Sequence, residues 1–233
     1  MSKFHHVRPT LGVIPGWQVH GGILDGFLPE VFRGIQAAVR DRECNMMLAY
    51  GIGSPRGVTL GRPAWPVPGP ETDFVPVGPW NTDGLLVIPP LSIPDGMPYF
   101  RDLIAGGFPV VFAGDDEPGP STIVDNAGGI QQAFEHLRGH GHKKIAYIAA
   151  WPNRNQGDGF RRLKAYQTAV IDAGLEENPD LIGYGYHSSA GGRQAILDIL
   201  AKKTNFTAVI TSNDETAVGV MQGLRDAGLV VPR

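Results

Sequence analysis

The stretch Val124–Ile148, VDNAGGIQQAFEHLRGHGHKKIAYI, decides how the rest of the chain is read. An Asp-Asn pair and a Gly pair open it. Ile130, Ala133, Phe134 and Leu137 then recur at helical spacing, which predicts a helix with these four on its buried face. Asp125 or Asn126 caps that helix, because a short polar side chain can accept from the first free amides. Gly139 or Gly141 ends it. After Lys143-Lys144 an unbroken apolar run, IAYIAA, reads as a strand covered on both faces. His136, His140 and His142 raise a metal site as the alternative, since the first two lie one helical turn apart. No carboxylate or thiol partner follows at ligand spacing, so the reading adopted is a solvated helix end that favours polar and cationic side chains. No metal, catalytic residue or cofactor is expected.

The same alternation runs both ways from this joint. Upstream, TLGVI (10–14), NMMLAY (45–50), GLLVI (84–88) and PVVFAG (109–114) read as buried strands, with helical patterns in FLPEVFRGIQAAVRDR and MPYFRDLIAGG between them. Downstream, the helix FRRLKAYQTAVIDAG carries Leu163, Tyr166, Val170 and Ala173 on one face and stops at Gly174. LIGYGY is the next strand, GGRQAILDILAKK a helix and FTAVITS a strand. NDETAVGVMQGLRDAG is the last helix, with Ser212 and Glu215 at capping-box spacing and Gly228 as its stop. This is α/β architecture: two consecutive βαβ sets, each a parallel sheet with helices on both faces. The expected N-terminal lobe covers 8–114 and the C-terminal lobe 122–233. The turn-rich GDDEPGPST joins them. Gly51–Trp80 breaks the rhythm, because its seven prolines forbid a long helix.

Bulk properties exclude several classes. The 233 residues suffice for one large or two small cored domains. Hydrophobic residues make up 42% and charged residues 18%, the balance of an ordinary globular protein. A net charge of −3 leaves no overall basic character for gripping nucleic acid. The single Cys44 precludes an internal disulfide and reads as a buried thiol in a reducing compartment. No secretory core opens the chain and no apolar run is long enough to span a membrane, so a cytoplasmic location is expected. The G-x-G-x-x-x-G spacing in GIGSPRG runs into prolines rather than a helix N-terminus, and no other catalytic motif is present, so no enzyme is expected.

Taken in order, VDN, EHLRGHGHKKIAYI, GFRRLKAYQTAVIDAGL, GGRQAILDIL and FTAVITSNDETAVGVMQGLRDAGLVVPR resemble the ligand-binding domain of the LacI/GalR transcriptional regulators. The resemblance is strongest from Ser121 to Arg233. It implies a type I periplasmic-binding-protein-like fold of two doubly wound lobes, with a small ligand held in an interlobe cleft. Ligands of open α/β sheets sit beyond the carboxyl ends of the strands, so the loops there supply the candidates. Trp17 and Phe27 offer apolar faces to a sugar ring, with Gln18 or His20 as polar partners; Phe27 serves core packing equally well. Arg162 stands where the family places its cleft arginine, whose planar fork holds hydroxyls or a carboxylate. Arg161 reads as its surface neighbour. Asp158, in the same loop, accepts from ligand hydroxyls. His187 occupies the position of an aromatic ligand contact, with Tyr186 as the fallback. Of Asn213 and Asp214, one offers a side chain to the ligand and the other caps the helix. Asp125 lines the cleft or only caps.

Two departures from the family shape the functional expectation. Only a short lead precedes TLGVI, with no helix-turn-helix, so DNA is reached only through a module outside this chain. The chain stops at LVVPR, where the family continues into a further strand, so the C-terminal lobe reads as incomplete. The expectation is the effector domain of a LacI/GalR-like regulator, a homodimer in the family's manner. It would bind a small polar molecule, a sugar or nucleoside-like compound, and act by ligand-biased closure. A sensor fused to a signalling domain and a transporter's solute-binding protein are the alternatives.

Overall fold

The computed structural model describes residues 8–15, 28–49, 77–88, 96–114, 119–155 and 157–232. The chain divides into two compact units, Met1–Ile123 and Val124–Arg233.

In the first unit, β1 (Thr10–Pro15), α1 (Leu28–Asp41), β2 (Asn45–Leu48), β3 (Gly84–Ile88), α2 (Gly96–Ala105), β4 (Val110–Ala113) and β5 (Ser121–Thr122) follow in order. The five strands form one parallel sheet in the order β2-β1-β3-β4-β5. Its strands alternate their side chains between two cores, as the pleat requires. Ile14, Val87, Phe100 and Phe112 fill one, and Val13, Ile88, Leu28 and Phe32 the other. The edge strand β5 lies in the stretch the sequence reads as a connector. Two residues are too few to show alternation, and only pairing with Phe112 and Ala113 makes them a strand.

The second unit contains α3 (Asn126–Gly139), β6 (Ile145–Ala149), α4 (Asp158–Asp172), a 3-10 turn (Pro179–Leu181), β7 (Ile182–Tyr184), α5 (Ser189–Ala201), β8 (Ala208–Thr211) and α6 (Asp214–Asp226). Its sheet is parallel in the order β7-β6-β8. The central β6 is buried throughout. Ile145, Tyr147 and Ala149 meet Ile130 and Phe134 of α3 and Tyr166 and Val170 of α4. Ala146 and Ile148 point the opposite way, toward Ala195, Ile196 and Ile199 of α5 and Val220 and Leu224 of α6. Tyr147 stacks on Tyr166 at 4.7 Å between ring centroids, and the Tyr166 hydroxyl donates to the Ile145 carbonyl at 2.7 Å. Burial pushes the Tyr166 hydroxyl up to about 12.

Two local expectations change, and a third is narrowed to one of its alternatives. Ala133 is exposed, because α3 turns a narrower face inward, through Asn126, Ile130 and Phe134, four residues apart. Gly141, at φ +89°, takes the left-handed turn after α3, whereas Gly139 remains helical. Ser212 is not a cap: Asn213 caps α6, its Oδ1 accepting from the Thr216 amide at 3.1 Å, so the cap falls one residue later and the expected Ser212–Glu215 capping box does not form.

Candidate functional site

In the second unit the strand order places β6 between its two sequence successors, so the chain leaves β6 to one side and returns on the other. The crevice beyond the carboxyl end of such a strand is where open α/β sheets take ligands. Backbone bonds tie the flanking loops to β6 at this end. The amides of Gly185 and Tyr186 donate to the carbonyls of Ala149 and Ala150, and the Ser212 amide to that of Ile148.

Arg162, on the second turn of α4, reaches across this end. Its Nε donates to Asn126 Oδ1 at 2.7 Å and its Nη1 to the Ser212 carbonyl at 2.6 Å. The guanidinium is thus fixed by α3 on one side and by the end of β8 on the other, while Nη2 has no protein partner among the described residues. Asp158 opens α4 rather than lying in a loop before it; Gly157, at φ +81°, makes the preceding turn without a side-chain cap. Asp158 Oδ1 accepts from Asn126 Nδ2 at 2.8 Å and faces Arg161 Nη1 at 3.4 Å. Its other oxygen is unpaired among the described residues.

His187 follows β7 in the left-handed region at φ +52°, directly after Tyr186 at +54°. Two consecutive non-glycine residues there are uncommon and costly, and such strain gathers at functional sites. The His187 ring meets Trp151 edge-on at 4.7 Å, and the Arg154 guanidinium lies 4.3 Å from the Trp151 ring centroid. His187 Nε2 is buried without a hydrogen-bond partner. Burial, and then the positive charges of Arg162 and Arg154, hold the imidazole below its usual pKa, with Asp158 opposing. The ring is therefore neutral near pH 7.

The other candidates separate. Asp125 caps α3, accepting from the Gly128 amide at 2.8 Å, and is exposed. Asn213 is occupied as the α6 cap, and Asp214 is an exposed first-turn acid. Tyr186 is 53% exposed. Trp17 and Phe27, with Gln18 and His20, lie outside the described residues. The structure thus brings together Asp158, Arg162 and His187. It adds Asn126, Trp151 and the Ser212 carbonyl, which the sequence reading did not single out as site residues. Asn126 sits in the VDN motif as an alternative cap, and only its contacts distinguish it from Asp125. His136 and His140 touch edge-on at 4.7 Å, yet among the described residues no three His, Cys, Asp or Glu side chains group to hold a metal.

Comparison with known proteins places this geometry in a class. Residues 134–233 match the periplasmic binding protein-like domain family, and the parallel α/β units have that fold. The regulator GalR of Escherichia coli K12 is 36% identical over 109 residues, 47% of this chain and 31% of its own length. The chain thus spans about a third of that relative. A sugar-binding LacI-family regulator from Escherichia coli, crystallised with phosphate, aligns over 96% of this chain and 75% of its own at TM-score 0.71 and 20% identity. The regulator CelR in its cellobiose complex aligns over 97% and 65%, at 0.70 and 23%. Over its matched residues the chain is similar to LacI/GalR regulators, and residues 134–233 match a periplasmic binding protein-like domain.

Proposed function

We propose that the chain is the effector-binding part of a LacI/GalR-like transcriptional regulator and that its ligand is a small neutral saccharide, bound without being transformed. The observation that carries this is the arrested Arg162 fork beside Asp158. Arg162 Nη2 offers unused donors and the second Asp158 oxygen an unused acceptor. One hydroxyl can accept from the first while its neighbour donates to the second. The Trp151–His187 pair adds aromatic surface of the kind that meets a sugar ring. The sugar-binding and cellobiose-bound regulators of the same fold agree with this ligand class.

In this reading, ligand binding biases the two lobes toward closure, and the change is passed to DNA through a module outside this chain, in a cytoplasmic homodimer. Among the described residues no helix is long and apolar enough to cross a membrane. The test is thermal stabilisation by a panel of neutral mono- and disaccharides that includes cellobiose. Stabilisation is expected for at least one, and its loss in Arg162→Ala, with Arg162→Lys, which keeps charge but not the fork, also impaired. Undiminished stabilisation in Arg162→Ala refutes the assignment.

A further inference from the structure

Asp158 and Arg162 lie four residues apart on α4, the spacing at which an acid and an arginine ordinarily pair on a helix face. They make no ion pair. Asp158 faces Arg161 instead, and Arg162 directs Nε to Asn126 and Nη1 to the Ser212 carbonyl. The group between them is the Asn126 amide, on a residue only 6% exposed. Its Nδ2 donates to Asp158 Oδ1 at 2.8 Å and to the Val124 carbonyl at 3.2 Å, while its Oδ1 accepts from Arg162 Nε at 2.7 Å. This network sets the amide orientation, since the reverse would aim an NH2 at the guanidinium.

We infer that Asn126 is a positioning residue, a spacer that keeps Asp158 and Arg162 from neutralising each other and so sets the ligand class. A primary amide suits the task because it presents a donor to the acid and an acceptor to the guanidinium at once. Aspartate at this place would repel Asp158, serine reaches too short, and an apolar residue leaves both charges to collapse onto each other. Held apart, the pair presents an acceptor and a donor side by side. That pattern matches adjacent hydroxyl groups, whereas a ligand anion meets the negative Asp158. The inference rests on the proposal that Arg162 and Asp158 contact the ligand.

Its first test uses the ligand-free full chain. The Arg162 Nε–H resonance is identified by its absence in Arg162→Lys, and its exchange with water is measured. Asn126→Ala is expected to speed that exchange roughly tenfold or more, by loss of one charge-assisted bond. The Nε–H of Arg193, which donates to Asp226 at 2.6 Å on α6, is the internal control and stays unchanged. Should Asn126→Ala fail to fold, Asn126→Ser replaces it. Equal exchange at Arg162 in wild type and variant overturns the proposal, whichever sugars bind.

The second test is calorimetric titration of D-glucose against D-glucuronate and cellobiose against cellobionate. The wild type is expected to prefer the neutral member of the pair it binds, and Asn126→Ala to weaken that binding roughly tenfold. Preference for the anion overturns the ligand class. Undiminished sugar binding by Asn126→Ala, with binding lost in Arg162→Ala, defeats the spacer role and leaves the functional proposal standing. Undiminished binding by both variants defeats the functional proposal.

Discussion

Gly219→Ala should be among the most damaging single-methyl changes in the second unit. Gly219 lies on α6, where it meets α5 backbone to backbone. A Cβ there would stand 1.8 Å from the Ser189 carbonyl oxygen, 2.6 Å from its carbon and 2.8 Å from the Arg193 nitrogen. Real Cβ contacts essentially never fall below 3.0 Å, and all three opposing atoms are main chain, which cannot rotate away. The helices must therefore separate by about 1 Å or more, weakening the dense packing that Ile196, Val220 and Leu224 depend on. Overpacking of this kind costs about 3 kcal/mol at the upper end of its usual range, and alanine returns about 1 kcal/mol of helix propensity. The net loss is about 2 kcal/mol, a fall in Tm of roughly 8–16 °C for a unit of this size. Thermal denaturation followed by circular dichroism measures it. Gly129→Ala, on α3, is the control, because its Cβ would meet nothing within 4 Å. That variant should gain up to about 1 kcal/mol. If Gly219→Ala proves as stable as Gly129→Ala, the close-approach reasoning is wrong.

Three further outcomes are expected. His187 has a folded pKa below its unfolded value near 6.5, so the unfolded chain binds the extra proton first. Its contribution is complete above the unfolded pKa and is lost as pH falls toward the folded one; Tm measured from pH 7.5 to 5 should drop less steeply in His187→Gln, and identical slopes would sink this account. Asp125→Ala removes the α3 cap and should cost about 1 kcal/mol in urea denaturation. Saccharide-induced stabilisation should be unchanged in that variant; its loss would give Asp125 a binding role beyond the cap. Tyr166→Phe deletes the bond to the Ile145 carbonyl and should cost about 1 kcal/mol by the same measurement, with no effect if that carbonyl finds another donor.

The order of elements was legible in the chain because it rests on local signals. Apolar runs of four to six residues marked β1, β3, β6 and β8, and the left-handed glycines 174 and 228 marked where α4 and α6 end. Arg162 and His187 were reachable through the motif that surrounds them. Asn126 was visible too, but only as one of two adjacent candidates for a cap. Nothing in a sequence tells which of two neighbouring polar residues turns outward to hold its own helix and which turns inward.

From the residues alone came the two βαβ sets, their helix stops and the resemblance that pointed to a binding site beyond the strand ends. Tertiary structure alone decided that α3 and the end of β8 meet on the Arg162 guanidinium of α4, and that α5 and α6 touch through Gly219. The physical reason is range. Turns, caps and periodicity act over a few residues, whereas Asn126 and Ser212 meet Arg162 across 36 and 50 residues of chain, and only the packed sheet brings them within hydrogen-bond distance.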